Sequence, residues 1–306
     1  MMTNLDPASE LFLSNVERIQ KRLAEANRQV SSGRKVVEPS DAPDQIDSIL
    51  QLRADRERNS QIRTNLSIAL TDVQGADGAL TAAIRLMDRA RVLASQSSST
   101  LLDANSRQSL ADEAQSLLEQ MVAYSQTAVQ GRYVFSGDRD DAPAYDLDST
   151  SPTGVIRLLT APATRRIESP AAGSFSAGKT AQEIFDNRNA DDTVAGDNVF
   201  AALAGLRAAL LANDPAASAA AVTAVKAAAI RLNSMQSFYG SVQGRTHDAV
   251  SFAERYDTDL RTQLAQKEDA DVAAAALEVT QGGTQLQAAF QMRALLPRQS
   301  LFEFLG

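Results

Sequence analysis

The amino-acid sequence predicts a mainly α fold. It reads as a long antiparallel helical hairpin, a coiled-coil rod, with N- and C-terminal helices side by side and a small β-rich insertion domain. Three observations lead there. Apolar residues recur at alternating spacings of 4 and 3 over long stretches toward both ends of the chain, the signature of helices lying along one another. One turn-rich stretch, roughly residues 138–187, breaks that period. And only 5% of the 306 residues are aromatic, with no Trp, which suits thin helical layers better than a thick multi-layer core.

The first helix carries Phe12, Val16, Ile19, Leu23, Ala26 and Val30 on one face. It stops at Ser31-Ser32-Gly33, where Gly33 can take the left-handed C-cap conformation. Pro39 and Pro43 forbid helix continuation through Val36–Pro43. Ser40 or Asp41 is then expected to cap the next helix, with Pro43 in its first turn. That second helix is expected over about Asp44–Leu101, or ~85 Å. Its seam runs Ile62, Leu66, Ala69, Val73, Ala76, Leu80, Ala83, Met87, Ala90, Ala94, with Gly75 and Gly78 not interrupting the period. A third helix, capped by Asp103 or Ser106, shows Leu110, Ala114, Leu117, Met121, Tyr124 and Ala128, and is expected to end at Gly131. The short connection makes the two helices antiparallel neighbours.

Arg132-Tyr133-Val134-Phe135 then has β character, and Val155–Thr160 and Arg165–Glu168 read as short strands among turns. Helical pattern resumes at Asp197 with Val199, Phe200, Leu203, Leu206 and Leu210, and breaks at Asn213-Asp214-Pro215. A last long helix begins near Ala217 and passes through Val222, Val225, Ala229, Leu232, Met235, Tyr239, Val242, Ala249, Phe252, Tyr256, Leu260 and Leu264. The spacing of 4 and 4 at Tyr256–Leu264 suggests a change of register. At the C-terminal end Val272, Ala276, Val279, Leu286 and Phe290 form an apolar face. Residues 279–292 carry no charge but four glutamines. The sequence closes on Leu295, Leu296, Pro297 and Leu301, Phe302, Phe304, Leu305. Three parts follow from this reading: terminal helices 1–42 and 266–306, a long-helix part 43–131 and 188–265, and a β insertion 132–187.

Composition narrows the function. Without Cys there is no disulfide framework, thiolate nucleophile or Cys-zinc site, and a single His removes His-paired metal motifs. His247, beside Asp248, reads as a surface residue. Asp138–Asp141 lacks the Gly and distal Glu of a calcium loop, and Ser40 has no base beside it. No catalytic residue, metal or cofactor is expected. The net charge of −8 argues against a nucleic-acid binder. No stretch approaches the ~20 apolar residues of a membrane span, and no secretory signal is read at Met1–Glu10.

The run Ile19–Asp44 resembles the N-terminal signature of the bacterial flagellin family, above all Val30-Ser31-Ser32-Gly33-Arg34-Lys35-Val36 and Pro39-Ser40-Asp41-Ala42-Pro43. The two prolines flanking Ser40-Asp41-Ala42, and Gly131-Arg132-Tyr133-Val134-Phe135-Ser136-Gly137 on the approach to the β insertion, resemble the hook–filament junction branch of that family. Glu268-Asp269-Ala270-Asp271-Val272 and Gln299–Leu305 are also family-like. The resemblance implies a structural subunit of the bacterial flagellum, exported unfolded without a cleaved signal and placed between hook and filament. Its implied partners are hook-associated protein 1, flagellin, copies of itself in a ring and an export chaperone. Phe12, Val16, Ile19, Leu23, Val30, Val272, Ala276, Val279, Leu286, Phe290, Leu296, Leu301, Phe302 and Leu305 would form the assembly interface.

On the residues alone, the terminal seams fit either an intramolecular bundle or contacts between subunits. The glutamine-rich helix fits either a lumen lining or glutamine as a tolerated helix former. A short filament subunit and, in a different class, a secreted coiled-coil adhesin are the alternative functions.

Overall fold

The computed structural model describes residues 7–98, 103–161, 163–170 and 173–295. Among these lie seven α-helices and six short strands. They form two compact units, residues 1–58 with 257–306, and residues 59–256.

In the first unit, α1 (Pro7–Ser32) and α7 (Val272–Leu295) pair side by side. Val16 and Ala26 are buried, and Phe12, Ile19 and Leu23 half-buried, so five members of the predicted seam turn inward. Val30 does not: it is exposed and Gln29 takes the inward position. A straight helix drifts ~20° per heptad against a strict seven-residue repeat, enough to move the last member off the seam. Gly33 adopts φ +69° and ends α1 as expected. A 3-10 turn at Pro39–Asp41 follows, and then α2 (Ile46–Ser97). Here the expectation is corrected. Helix α2 begins beyond Pro43, and neither Ser40 nor Asp41 caps it. The Asp41 carboxylate faces backward and accepts from the Val37 and Glu38 amides at 2.9 and 2.8 Å.

In the second unit every predicted seam residue of α2, from Ile62 to Ala94, is buried. Helix α3 (Ala104–Ser125) starts at Asp103, whose carboxylate accepts from Ser106 N at 2.8 Å. It ends at Ser125 rather than Gly131. The reason is a tight hairpin, β1 (Ala128–Val129) with β2 (Arg132–Tyr133). Its two loop residues, Gln130 and Gly131, both have positive φ, +52° and +78°, the requirement of a type I′ turn.

Two further antiparallel hairpins make up the insertion, β3 (Tyr145–Leu147) with β4 (Val155–Arg157), and β5 (Arg166–Ser169) with β6 (Gly173–Ser176). A one-turn helix, α4 (Ala181–Ile184), carries a capping box between Thr180 and Glu183. Helix α5 (Val199–Ala212) is capped by Asn198 and closed by Asn213 at φ +52°. Its predicted face, Val199, Phe200, Leu203, Leu206 and Leu210, is fully buried.

Helix α6 runs Pro215–Glu268. Ala221 rather than Val222 turns inward, and Thr246, Ala249, Ala253, Asp257, Leu260, Leu264 and Glu268 are the buried positions toward its end. Steps of 4 and 4 therefore fall at Ala249–Ala253–Asp257 and again at Leu260–Leu264–Glu268, on either side of the Tyr256–Leu264 reading.

The few aromatics are concentrated where helices meet the insertion. Phe135, Tyr145, Phe185, Phe200 and Tyr239 are all buried to 2% exposure or less. Phe135 meets Phe185 and Tyr239 edge-on, with ring centroids at 5.5 and 6.2 Å. Asp186 lies fully buried among them and is satisfied by the Tyr145 hydroxyl at 2.9 Å, Arg188 Nε at 2.9 Å and Asn198 Nδ2 at 2.6 Å.

Gly75 shows why a glycine is tolerated inside α2. A Cβ there would lie 2.4 Å from Val129 Cγ2, so the β1–β2 hairpin rests on bare helix backbone. Gly78 has nothing within 4 Å of that position. Gly75→Ala is therefore expected to lower stability by about 1–2 kcal/mol despite better helix propensity. Gly78→Ala should raise it by up to about 1 kcal/mol. Urea unfolding of the two variants side by side checks both signs.

Candidate assembly site

The site is built on the α1–α7 pair and the segments at its base. The helices are antiparallel. Arg22 donates through Nε to Glu278 at 2.8 Å, while Arg293 donates to Ser9 Oγ at 2.8 Å and stacks over Phe12 at 5.6 Å. Phe12 meets Phe290 edge-on at 6.3 Å. Gly282 lets the helices approach, since a Cβ there would sit 3.3 Å from Leu23.

The inward face of α7 coincides only in part with the apolar face read from the sequence. Ala275 and Gly282 are buried, and Glu278, Val279, Leu286 and Ala289 half-buried. Val272 and Ala276 instead face outward, Val272 at 45% exposure, and Phe290 lies at the margin of the pair, 51% exposed with its ring against Phe12. Phe12, Val16, Ile19, Leu23, Val279 and Leu286 are thus engaged within the chain. Val30, Val272, Ala276 and Phe290 are on the surface. Leu296, Leu301, Phe302 and Leu305 lie outside the described residues.

The two helices present different outer faces. Helix α1 shows Glu10, Glu17, Arg18, Lys21, Glu25 and Arg28 to solvent. Helix α7 has Glu278 and Arg293 as its charged residues, and both are spent on α1. Its outer face is Thr280, Gln281, Thr284, Gln285, Gln287, Ala288, Gln291 and Met292, all exposed. A groove of about 700 Å³ runs between the helices, with Leu11, Ile19, Ala288 and Met292 among its lining. Leu11 and Met292 are each 67% exposed. An uncharged outer surface with exposed Leu, Phe and Met is costly to leave in water and ready to pack against another surface.

At the base of the pair the two family-like motifs meet. Lys35 N and Val36 N both donate to Glu268 O, at 2.7 and 3.4 Å, and Ala270 N donates to Gly33 O at 2.9 Å. This is a short antiparallel bridge between Arg34 and Asp269. The Glu268 carboxylate, 7% exposed, accepts from Arg53 Nε at 2.9 Å, with Arg34 Nη1 at 3.9 Å. Beneath it Val36, Ala42, Ile49 and Leu264 form a separate small core. Ser32 Oγ accepts from Arg34 N at 3.1 Å and donates to Arg28 O at 2.7 Å. Ser31 Oγ bonds the same carbonyl at 3.0 Å. Ser40 is exposed, and Pro39 and Pro43 flank the Asp41 turn. The amide hydrogen bonds from Glu38 and Val37 hold the Asp41 carboxyl below its ordinary pKa. Arg53 carried no sequence signal. It stands on an exposed helix face, and only the folded position of Glu268 gives it a partner.

The second motif lies in the other unit and works locally. Gly131 turns the hairpin, and Arg132 donates to both Asp72 oxygens at 3.1 and 3.2 Å. Arg165 donates to Asp72 at 3.1 Å and also pairs with Asp140. Burial raises the Asp72 pKa, with the two guanidiniums opposing. Tyr133 pairs with Ala128 in the hairpin, and Phe135 is fully buried. Gly137 has φ +65°, and a Cβ there would strike Ala163 O at 2.5 Å. These residues anchor the insertion to α2. Among the described residues no group of three or more His, Cys, Asp or Glu is placed to hold a metal ion.

Comparison with known proteins agrees with this layout. Residues 5–140 match the family profile of the bacterial flagellin N-terminal helical region. Residues 222–305 match that of the bacterial flagellin C-terminal helical region. A curated relative, the flagellar hook-associated protein 3 of Escherichia coli (strain K12), is 26% identical over 189 residues, covering 60% of this chain and 58% of the relative. The chain thus spans somewhat over half the length of that relative. The fold is shared with a Vibrio parahaemolyticus protein assigned to the flagellar hook-associated proteins, at TM-score 0.63 and 16% identity over 75% of this chain and 100% of that one. It is also shared with the flagellar hook-associated protein 3 of Legionella pneumophila, at TM-score 0.61 and 13% identity over 71% of this chain and 98% of that one.

Two outcomes follow from the base of the pair. Glu268→Ala removes the acceptor for Arg53 but leaves the backbone bridge, so local opening should become easier by about 1.5 kcal/mol. Hydrogen exchange at Lys35, Val36 and Ala270 should then speed up roughly tenfold. The Asp41 turn is pH-sensitive in a defined direction. A carboxyl with a depressed folded pKa contributes fully above its unfolded value and loses that contribution as pH falls through the folded one. The Val37 and Glu38 amide resonances should therefore move together in acid, below the ordinary carboxylate range, and Asp41→Asn should abolish that titration.

Proposed function

The chain belongs to the bacterial flagellin family, and from that premise we propose that it is a structural subunit of the flagellum at the junction between hook and filament. The observation that carries the reading is the outer face of α7, uncharged and studded with exposed Val272, Leu277, Phe290 and Met292. Such a face suits burial against neighbouring subunits or the lining of a wet channel, and a helix in bulk solvent more often carries Lys and Glu there. The relatives named as hook-associated proteins point the same way, and the family is one of structural flagellar components.

In this proposal the subunit leaves the cell unfolded through the flagellar export apparatus, escorted by an export chaperone. It assembles as a ring of its own copies on hook-associated protein 1, and flagellin stacks on its far side. Residues 1–42 and 266–306 form the inner assembly part. Residues 43–131 and 188–265 carry the long helices, and 132–187 face outward. Val30, Val272, Ala276 and Phe290 supply the apolar contacts to neighbours, joined by Leu296, Leu301, Phe302 and Leu305. The SSGRKV loop and its partner Glu268 shape the base of the contact helices rather than touching a neighbour first.

A deletion strain tests the assignment. Cells lacking this protein should retain hooks, lack filaments and release flagellin monomer into the medium. A strain that releases no flagellin would mark the chain as the filament subunit itself. At residue level, Gln285→Lys and Gln287→Glu place charge on the outer face of α7. Both variants should fold as monomers with unchanged circular dichroism yet fail to support swimming. Wild-type motility in both would remove the role given to that face.

A further inference from the structure

The seam of α2 in the second unit is nearly periodic to a fault. Alanine stands at 69, 76, 83 and 90, every seventh residue, and Leu66, Val73, Leu80 and Met87 stand at the alternating positions. All are buried. A stripe that repeats itself every seven residues packs almost as well after sliding by one heptad, because each Ala lands on the place of another Ala and each large side chain on that of another. Apolar burial alone leaves the axial register of α2 against α6 weakly specified.

One residue breaks the repeat. Asn59 occupies the next seam position upstream, three residues before Ile62, and is 2% exposed. Its Nδ2 donates to Ala253 O on α6 at 2.8 Å. Its Oδ1 is buried and has no hydrogen-bond partner among the described residues. A half-satisfied buried amide costs stability rather than adding to it, so its contribution lies elsewhere. Its location is informative: Ala253 is the middle of the 4, 4 step Ala249–Ala253–Asp257, where the α6 seam changes phase. A second polar contact, Gln236 Nε2 to Thr81 Oγ1 at 2.9 Å, is only partly buried and can exchange its partner for water.

We propose that Asn59 is the register key of the α2–α6 pair, selecting the native axial alignment as the second unit folds. In the native register its amide meets the carbonyl at the phase step. After a slide of seven residues the amide stands opposite Thr246 or Leu260, whose larger side chains cover the backbone that Ala253 leaves open. The penalty then falls on the wrong alignment, which the repeating Ala and Leu positions do not penalise.

The chain lacks cysteine, so two can be introduced for spin labels, at Ser60 and Asp248, both exposed and both in the second unit. The full-length protein is unfolded in denaturant, rapidly refolded, and the label-to-label distance distribution recorded. With Asn59 present, one narrow distance is expected. In Asn59→Leu and Asn59→Ala, a second component should appear at the distance set by an axial slide of about 10 Å, seven residues at ~1.5 Å each. The alanine variant guards against misreading an effect of leucine bulk. A displaced component in either refolded variant supports the proposal. A single, unshifted distance in both overturns it.

Discussion

Alanine at every seventh position of α2 sets how closely other elements can approach it, and the second unit is arranged around that closeness. Small seam residues bring neighbouring backbones near, which forgoes the large apolar payload of Leu or Phe but allows long contact lines. Further anchors then gather on the same helix. The β1–β2 hairpin settles on Gly75, Arg132 and Arg165 converge on Asp72, and Arg89 pairs with Glu113 of α3. The largest fully buried aromatic side chains, Phe135, Tyr145, Phe185, Phe200 and Tyr239, are collected in one knot where the helices give way to strands.

The terminal pair follows a different rule. Its seam, Phe12 to Ala26 against Ala275 to Ala289, is satisfied inside the chain, while the outward side of α7 is not matched to water. Charge has been withdrawn from that side. Glu278 reaches Arg22 and Arg293 reaches Ser9 and Phe12, so both charged groups of the helix serve the intramolecular contact. A helix built for solvent would distribute them the other way.

Periodicity made the helices legible. The 4–3 spacing placed α1, α2, α3 and α5 and picked out the buried face of α2 residue by residue, because a long amphipathic stripe is a physical requirement that sequence cannot conceal. It was weaker wherever one interaction across the fold decided the matter. Helix α3 stops at Ser125 because Gln130 and Gly131 turn the chain, although Ala128 keeps the helical spacing. Strands β3 and β6 and the short α4 are held by pairing and a capping box, features of three or four residues with no period. The side of α7 that packs on α1 was not legible, because Gly282, lacking a side chain, sits at the centre of the contact and leaves no hydrophobic mark. The motif loop was visible as a pattern, but Arg53, which holds the loop's partner Glu268, and the reversed role of Asp41 belong to tertiary geometry.

The bridge between residues 33–36 and 268–270 has a consequence for the order of events. Lys35 Nζ and Gln266 O are 231 residues apart in sequence, so this contact closes a loop containing most of the chain. Closing a flexible loop of that length costs about 5 kcal/mol in chain entropy beyond a constant, and an intervening folded unit lowers that cost by shortening the effective tether. The terminal helices therefore cannot pair until residues far downstream are present, and pair most readily once the middle has condensed. A chain that emerges end first, whichever end leads, completes its sticky surface last. Timing is thereby written into connectivity: the α1–α7 pair forms only when both of its helices are present.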